Sequence, residues 1–170
     1  MSVAAVEPFV ISRTLNAPRD IVWDVVTKPE HMGKWFGPKG FPGVHAKMDF
    51  RVGGMYHYGL KSPDGPTMWG RFIYREIDPK NKIVFVNSFS DEKGGITTHP
   101  MAPTWPRQML STFAFEDVGP GKTKFTVTWI PLEGSSAEEI ATFDERRTSA
   151  VGGWTGTFEQ LEAYLADIQK

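Results

Sequence analysis

The stretch Ser135 to Ile168, SSAEEIATFDERRTSAVGGWTGTFEQLEAYLADI, decides the fold. Ile140, Phe143, Arg147, Val151, Trp154, Phe158, Leu161, Leu165 and Ile168 recur at steps of three or four. That spacing lays one stripe along a long C-terminal helix. Gly134 precedes it, Ser135 and Ser136 offer an N-cap, and Glu138 and Glu139 fall in the first turn, where the helix dipole favours acids. Two details disturb the pattern. Arg147 is a cation on the apolar stripe, and Gly152-Gly153 costs about 1 kcal/mol per glycine relative to alanine. The glycines call for a bend, a close approach or room for a ligand. Arg147 either meets a carboxylate, of the core or of a ligand, or snorkels to solvent.

Upstream of this helix the pattern has a period of two. Phe9, Ile11, Arg13 and Leu15 share one face of a first strand. Asn16 is a candidate cap, and Ile21, Val22, Val25 and Val26 make a short helix. Pro29 opens a second, from Glu30 to Phe36, which Gly37, Pro38 and Gly40 end. Strand-like segments follow at Val44 to Phe50, Met55 to Leu60, Thr67 to Ile77 and Lys82 to Phe89. A final hairpin, Arg107 to Glu116 and Lys122 to Ile130, turns at Gly119-Pro120-Gly121. Strands followed by a terminal helix imply an α+β fold with the helix on one sheet face. The expected sheet is antiparallel, six- to seven-stranded and curved, wrapped around the long C-terminal helix, with two short helices after the first strand. One helix cannot fill such a concavity, so an apolar pocket is expected in the remainder.

Composition narrows the function classes. The chain has 170 residues, no cysteine and a formal net charge of -1, with no polybasic run. The length suits one domain spanning residues 1–170, able to bury roughly 70% of its unfolded surface. Disulfides, thiolate metal sites and cysteine nucleophiles are excluded. Nucleic acid and membrane insertion are not expected as partners, and a cytoplasmic location is the default expectation. Aromatic residues make up 13% of the chain, including six Trp and twelve Phe. Trp35, Trp69, Trp105, Trp129 and Trp154 are either core or pocket lining.

Several landmarks together resemble a known family. They are Thr14-Leu15-Asn16-Ala17-Pro18 with Val22-Trp23-Asp24; Thr27-Lys28-Pro29-Glu30-His31-Met32 with Trp35-Phe36-Gly37-Pro38; Gly53-Gly54-Met55-Tyr56; Glu76-Ile77-Asp78-Pro79 with Ile83-Val84-Phe85; and Gly153-Trp154 with Phe158, Leu161, Tyr164 and Leu165. From Phe9 to Ile168 the chain resembles the START-like (SRPBCC) superfamily, in the branch of the heat-shock-protein-90 ATPase activator homologue domain. The resemblance implies a helix-grip fold with a cavity between sheet and helix. It implies a small hydrophobic or amphipathic ligand, with cyclase or hydrolase chemistry on the same scaffold as an alternative. A stress-response domain contacting a chaperone is a third reading. The co-chaperone's separate N-terminal domain has no room in this chain, so chaperone contact is not expected.

No motif fixes a catalytic residue. His31, His45, His57 and His99 lack metal-ligand spacing, so neither metal nor cofactor is expected. His57 lies between Tyr56 and Tyr58 on an alternating strand; pointing inward it would be a hydrogen-bonding group or general base, and pointing outward a surface histidine. Trp69 and Arg71 share a strand face of undecided direction. Phe85, Phe89, Met109 and Phe113 supply large side chains on strands flanking the long segment Asp91 to Pro106. That segment carries Met101 and Trp105 and is expected to gate the pocket, or to be a surface loop anchored by Trp105. The expected ligand-binding set is therefore His57, Trp69, Arg71, Phe89, Met101, Trp105, Met109, Phe113, Arg147, Val151 and Trp154. A homodimer through a sheet edge is allowed but not demanded.

Overall fold

Alternation in the strands puts two different surfaces on one sheet. The computed structural model describes residues 6–99 and 102–170. Its sheet runs β1 (Phe9–Leu15), β8 (Lys122–Pro131), β7 (Gln108–Gly119), β5 (Lys82–Ser90), β4 (Thr67–Asp78), β3 (Met55–Lys61), β2 (Gly43–Met48) in spatial order. Every pairing is antiparallel. These are seven strands; an eighth, the two-residue β6 (Ile96–Thr97), pairs with β5 from within the long segment Asp91 to Pro106. Breaks of register at Gly43/His45, Tyr74/Glu76 and Asp117/Gly119 help the sheet curl.

The concave face carries the core. Phe9 and Leu15 of β1, Phe125 and Val127 of β8, Phe113 and Phe115 of β7, Phe85 of β5, Phe72 of β4 and Tyr56 of β3 are all buried. Helices α1 (Arg19–Thr27) and α2 (Pro29–Trp35) connect β1 to β2, the two edges of the sheet. They lock to each other where Trp35 Nε1 donates to Val25 O at 2.9 Å. Pro18, not Asn16, holds the N-cap position of α1, and no side chain caps it.

The C-terminal helix is interrupted. Its first part, α3 (Ala137–Arg146), starts with a capping box: Glu139 N donates to Ser136 Oγ at 3.0 Å and Ser136 N to Glu139 Oε1 at 2.9 Å. A 3-10 turn at Arg147–Ser149 separates it from α4 (Ala150–Ile168). The break thus lies just before Gly152-Gly153. A Cβ on either glycine would meet nothing within 4 Å, so close packing is not what requires them. Beyond the break, Trp154, Phe158, Leu161 and Leu165 are buried against the concave face. Among the described residues no helix is long and apolar enough to cross a membrane.

Candidate functional site

A helix and a curled sheet touch along a line and diverge on either side of it. Towards its C-terminal end α4 closes on β1: Arg13, on the inner face, pairs with Glu162 at 2.7 Å. Towards the broken end it stands away from β4, β5 and β7, leaving a cavity of about 370 Å³. Phe72, Phe85 and Phe113 form its floor, with Phe72 and Phe85 stacked at 4.1 Å between centroids. Trp154 forms the helix-side wall, 6.0 Å from Phe113 and 6.1 Å from Trp129. Phe36 closes one end, edge-on to Tyr58 and Phe72. Gly37, beside it, has a φ of 118° and lies against Leu60; a Cβ there would come within 2.7 Å of that side chain. Thr157 and Gln160 of α4 donate to Gly37 O at 2.9 and 2.7 Å, so the helix holds this end in place.

The mouth lies under two segments that are tied together. Trp105 stands 5.7 Å from Phe143 of α3. Thr142 Oγ1 donates to Thr104 Oγ1 at 2.9 Å, and Arg107 N donates to Glu139 Oε2 at 2.8 Å. Burial opposes ionisation of Glu139, but the N–H groups of Ser136 and Arg107, the Ser136 hydroxyl and the Arg107 charge outweigh it and hold its carboxyl below the ordinary range. One acid therefore caps α3 and anchors the loop.

A few polar groups interrupt the apolar wall. Asn87 lies on the inner face of β5, between Phe85 and Phe89, and accepts a hydrogen bond from Ser111 Oγ through its Oδ1. Tyr58 also lines the cavity, and burial raises its phenol far above the normal range, so it stays protonated. His99 and Arg146 border the mouth. Burial, then the charge of Arg146, lowers the His99 imidazole below its usual value and keeps it neutral near pH 7. Among the described residues no cluster of three His, Asp or Glu side chains gathers to hold a metal.

The expected ligand set is divided by the structure. Phe89, Trp105, Met109, Phe113 and Trp154 meet around the cavity. Met101 lies outside the described residues. Trp69 borders the cavity from β4, but its ring stacks on His57 at 5.1 Å, on the convex face. His57 and Arg71 share that convex face and do not reach the cavity. His57 Nε2 approaches Asp91 O at 3.2 Å, and Arg71 Nη1 donates to Gly94 O at 2.9 Å. Arg147 and Val151 are also outside. Arg147 pairs with Asp144 at 2.7 Å and Glu7 at 3.1 Å, and Val151 is 44% exposed. Arg147 sits in the 3-10 turn, whose tighter winding takes it off the stripe of α4. Val151 lies in α4 itself, where Ala150, Gly153, Trp154 and Thr157 share the cavity-facing side and position 151 falls beside it.

Asn87, Tyr58, His99 and Arg146 were not in the expected set. For Asn87 the signal was present: it is a lone amide at period two between two phenylalanines. Arg146 gave none, since its position depends on the break.

These relations define a helix-grip domain of the START-like class. Residues 16–166 match the model of the Activator of Hsp90 ATPase homolog 1-like protein family, and the chain belongs to that family. Solved structures of the same fold include a protein from Arthrobacter aurescens, 24% identical, TM-score 0.75, covering 98% of this chain and 93% of that one. A protein from Staphylococcus epidermidis is 28% identical with TM-score 0.66, over 94% and 90% of the two chains. One from Nitrosomonas europaea is 20% identical with TM-score 0.75, over 98% and 99%. No curated protein shows a significant sequence match.

Proposed function

We propose that this chain is one ligand-holding domain, binding a small hydrophobic or amphipathic molecule between the sheet and α4. The observation that carries the reading is the cavity of about 370 Å³, walled by Phe36, Phe72, Phe85, Phe113 and Trp154 and interrupted by few polar groups. Both its size and its mixture of apolar wall with sparse polar groups are those of small-molecule sites. The family's fold is compatible with this use. Phe89, Trp105 and Met109 complete the proposed contact set. An enzyme on the same scaffold is supported less well. Asn87, deep in the cavity, and its partner Ser111 accept no proton at neutral pH, which general base chemistry needs, and the one imidazole on the lining among the described residues, His99, stands at the mouth and away from that pair.

Native mass spectrometry of gently purified protein tests the proposal, together with a thermal-shift screen of lipids, aromatic acids and polyketide-like compounds. The expected result is a retained adduct, or a compound class that raises Tm by several degrees, and loss of either on Met109→Trp, which fills the cavity. No adduct and no stabilising compound would overturn it.

A further inference from the structure

The charges on the cavity lining are unbalanced. Among the described residues no Asp, Glu or Lys lines it, and the one formal charge there is the guanidinium of Arg146. Arg13, Arg19, Arg51, Arg75, Arg107 and Arg147 all have an acid partner, and Arg71 donates to a backbone carbonyl. Among the described residues Arg146 is the one arginine whose guanidinium makes no hydrogen bond or ion pair; its backbone carbonyl accepts from Ser149 Oγ. Its place in the last turn of α3 suits the helix dipole. The dipole does not account for its position on the rim of an apolar cavity. A guanidinium there offers a planar fork of donors matched to a carboxylate. Deeper in, Ser111 donates to Asn87 Oδ1 and so leaves the two Nδ2 hydrogens of Asn87 to donate elsewhere. An amide donor on an apolar wall favours an occupant with an acceptor oxygen, because an unpaired buried polar group costs about 1–3 kcal/mol.

We infer that the occupant is an amphipathic monocarboxylate, with its acid group at Arg146 on the rim, its apolar body against Trp154, Phe72 and Phe85, and a carbonyl or ether oxygen at Asn87. The inference rests on the proposed use of the cavity as a ligand site. At about 30 Å³ per water-sized volume, the space suits a body of roughly a dozen non-hydrogen atoms. A single positive charge fits a monoanion. A dianionic phosphate would bring a second charge to an otherwise uncharged lining, and its desolvation would go uncompensated.

Naphthylacetate, its methyl ester, naphthylethylamine and naphthyl phosphate share one body and differ in charge. Titrating each into the full chain, with tryptophan fluorescence and calorimetry as readouts, tests the inference. Naphthylacetate should bind at least about tenfold tighter than the other three. Arg146→Gln should remove most of that preference, the acid falling about tenfold while the ester changes far less. An added acetyl group on the ring should tighten binding about fivefold, and Asn87→Leu should abolish that gain. In Asn87→Leu, binding of unsubstituted naphthylacetate reports whether the cavity is intact. Ester and acid binding equally, or an acid preference that survives Arg146→Gln, would overturn the inference and leave the cavity reading standing. If none of the four binds at millimolar concentration, both fall.

Discussion

Tyr58 of β3 lies across Gly70 of β4, its register partner, and fills the space a side chain at 70 would need. A Cβ built on Gly70 overlaps the phenol ring itself, and the ring is held by Phe36, Tyr56 and Phe72. Gly70→Ala is therefore expected to destabilise the protein by about 1–3 kcal/mol, as overpacking does. Tyr58→Ala removes the obstacle, so the double variant should be more stable than the sum of the single effects. Urea unfolding of the four proteins in the cycle measures this. Additive effects would show that the ring moves aside freely.

Gly152 is the opposite case. It lies inside α4 and is exposed, and a Cβ there meets nothing within 4 Å. Gly152→Ala should stabilise the chain by about 0.5–1 kcal/mol, because alanine loses less backbone freedom in a helix. For a chain of this size that is an increase of a few degrees in Tm, read by calorimetry. A fall in Tm would mean that the helix bends at Gly152 in solution.

Glu139 links pH to the cap over the cavity. Its carboxyl is held below the ordinary range, so the stability it contributes is present above the unfolded value of about 4.3 and is lost as pH falls through the lower folded value. The Tm difference between wild type and Glu139→Gln should be full near neutrality and shrink below about pH 4. A difference that stays constant across this window would show that the carboxylate charge is irrelevant to the cap.

Trp105 separates gating from anchoring. It lines the cavity and packs on Phe143, and its segment is joined to α3 by the Thr104 and Arg107 bonds. If this cap moves to admit ligand, Trp105→Ala should speed dissociation of naphthylacetate at least about tenfold while Tm falls by only a few degrees. Stopped-flow displacement and a thermal melt together decide. An unchanged off-rate with a large loss of stability would make the segment an anchor.

The sequence carried the fold because burial enforces periodicity. Trp154, Phe158, Leu161 and Leu165 mark the helix, and the alternation of Phe85, Asn87 and Phe89 marks an inward strand face. Faces that share a period are legible; which face is inside is not, where both carry large groups. Trp69, His57 and Arg71 show this. The convex face stacks aromatic rings of its own, with His45 and His57 5.0 Å apart and His57 on Trp69. Arg147 and Val151 lie outside for other reasons. Arg147 is in the 3-10 turn, whose winding departs from the helical step. Val151 shares α4 with Trp154 and falls at the edge of the buried stripe, where spacing alone does not separate inside from outside. What remained legible was the deep aromatic set, fixed by packing. The polar rim at His99 and Arg146 depends on how two distant segments meet.

The pairing of β3 with β4 has a consequence for errors in folding. Beside Tyr58 over Gly70 on the concave face, the next rung places Trp69 over Gly59 on the convex face, where a Cβ at 59 would come within 2.8 Å of the indole. Two large rings thus occupy two vacancies on opposite sides of the same hairpin. A slip by one residue turns both rings to the wrong side. A slip by two restores their sides but sets Tyr58 opposite Phe72 or Met68, and Trp69 opposite His57 or Lys61, none of which is a vacancy. Each vacancy works as a keyway cut for one ring, so a misaligned hairpin loses both fits within β3 and β4 themselves, whatever the long helix does.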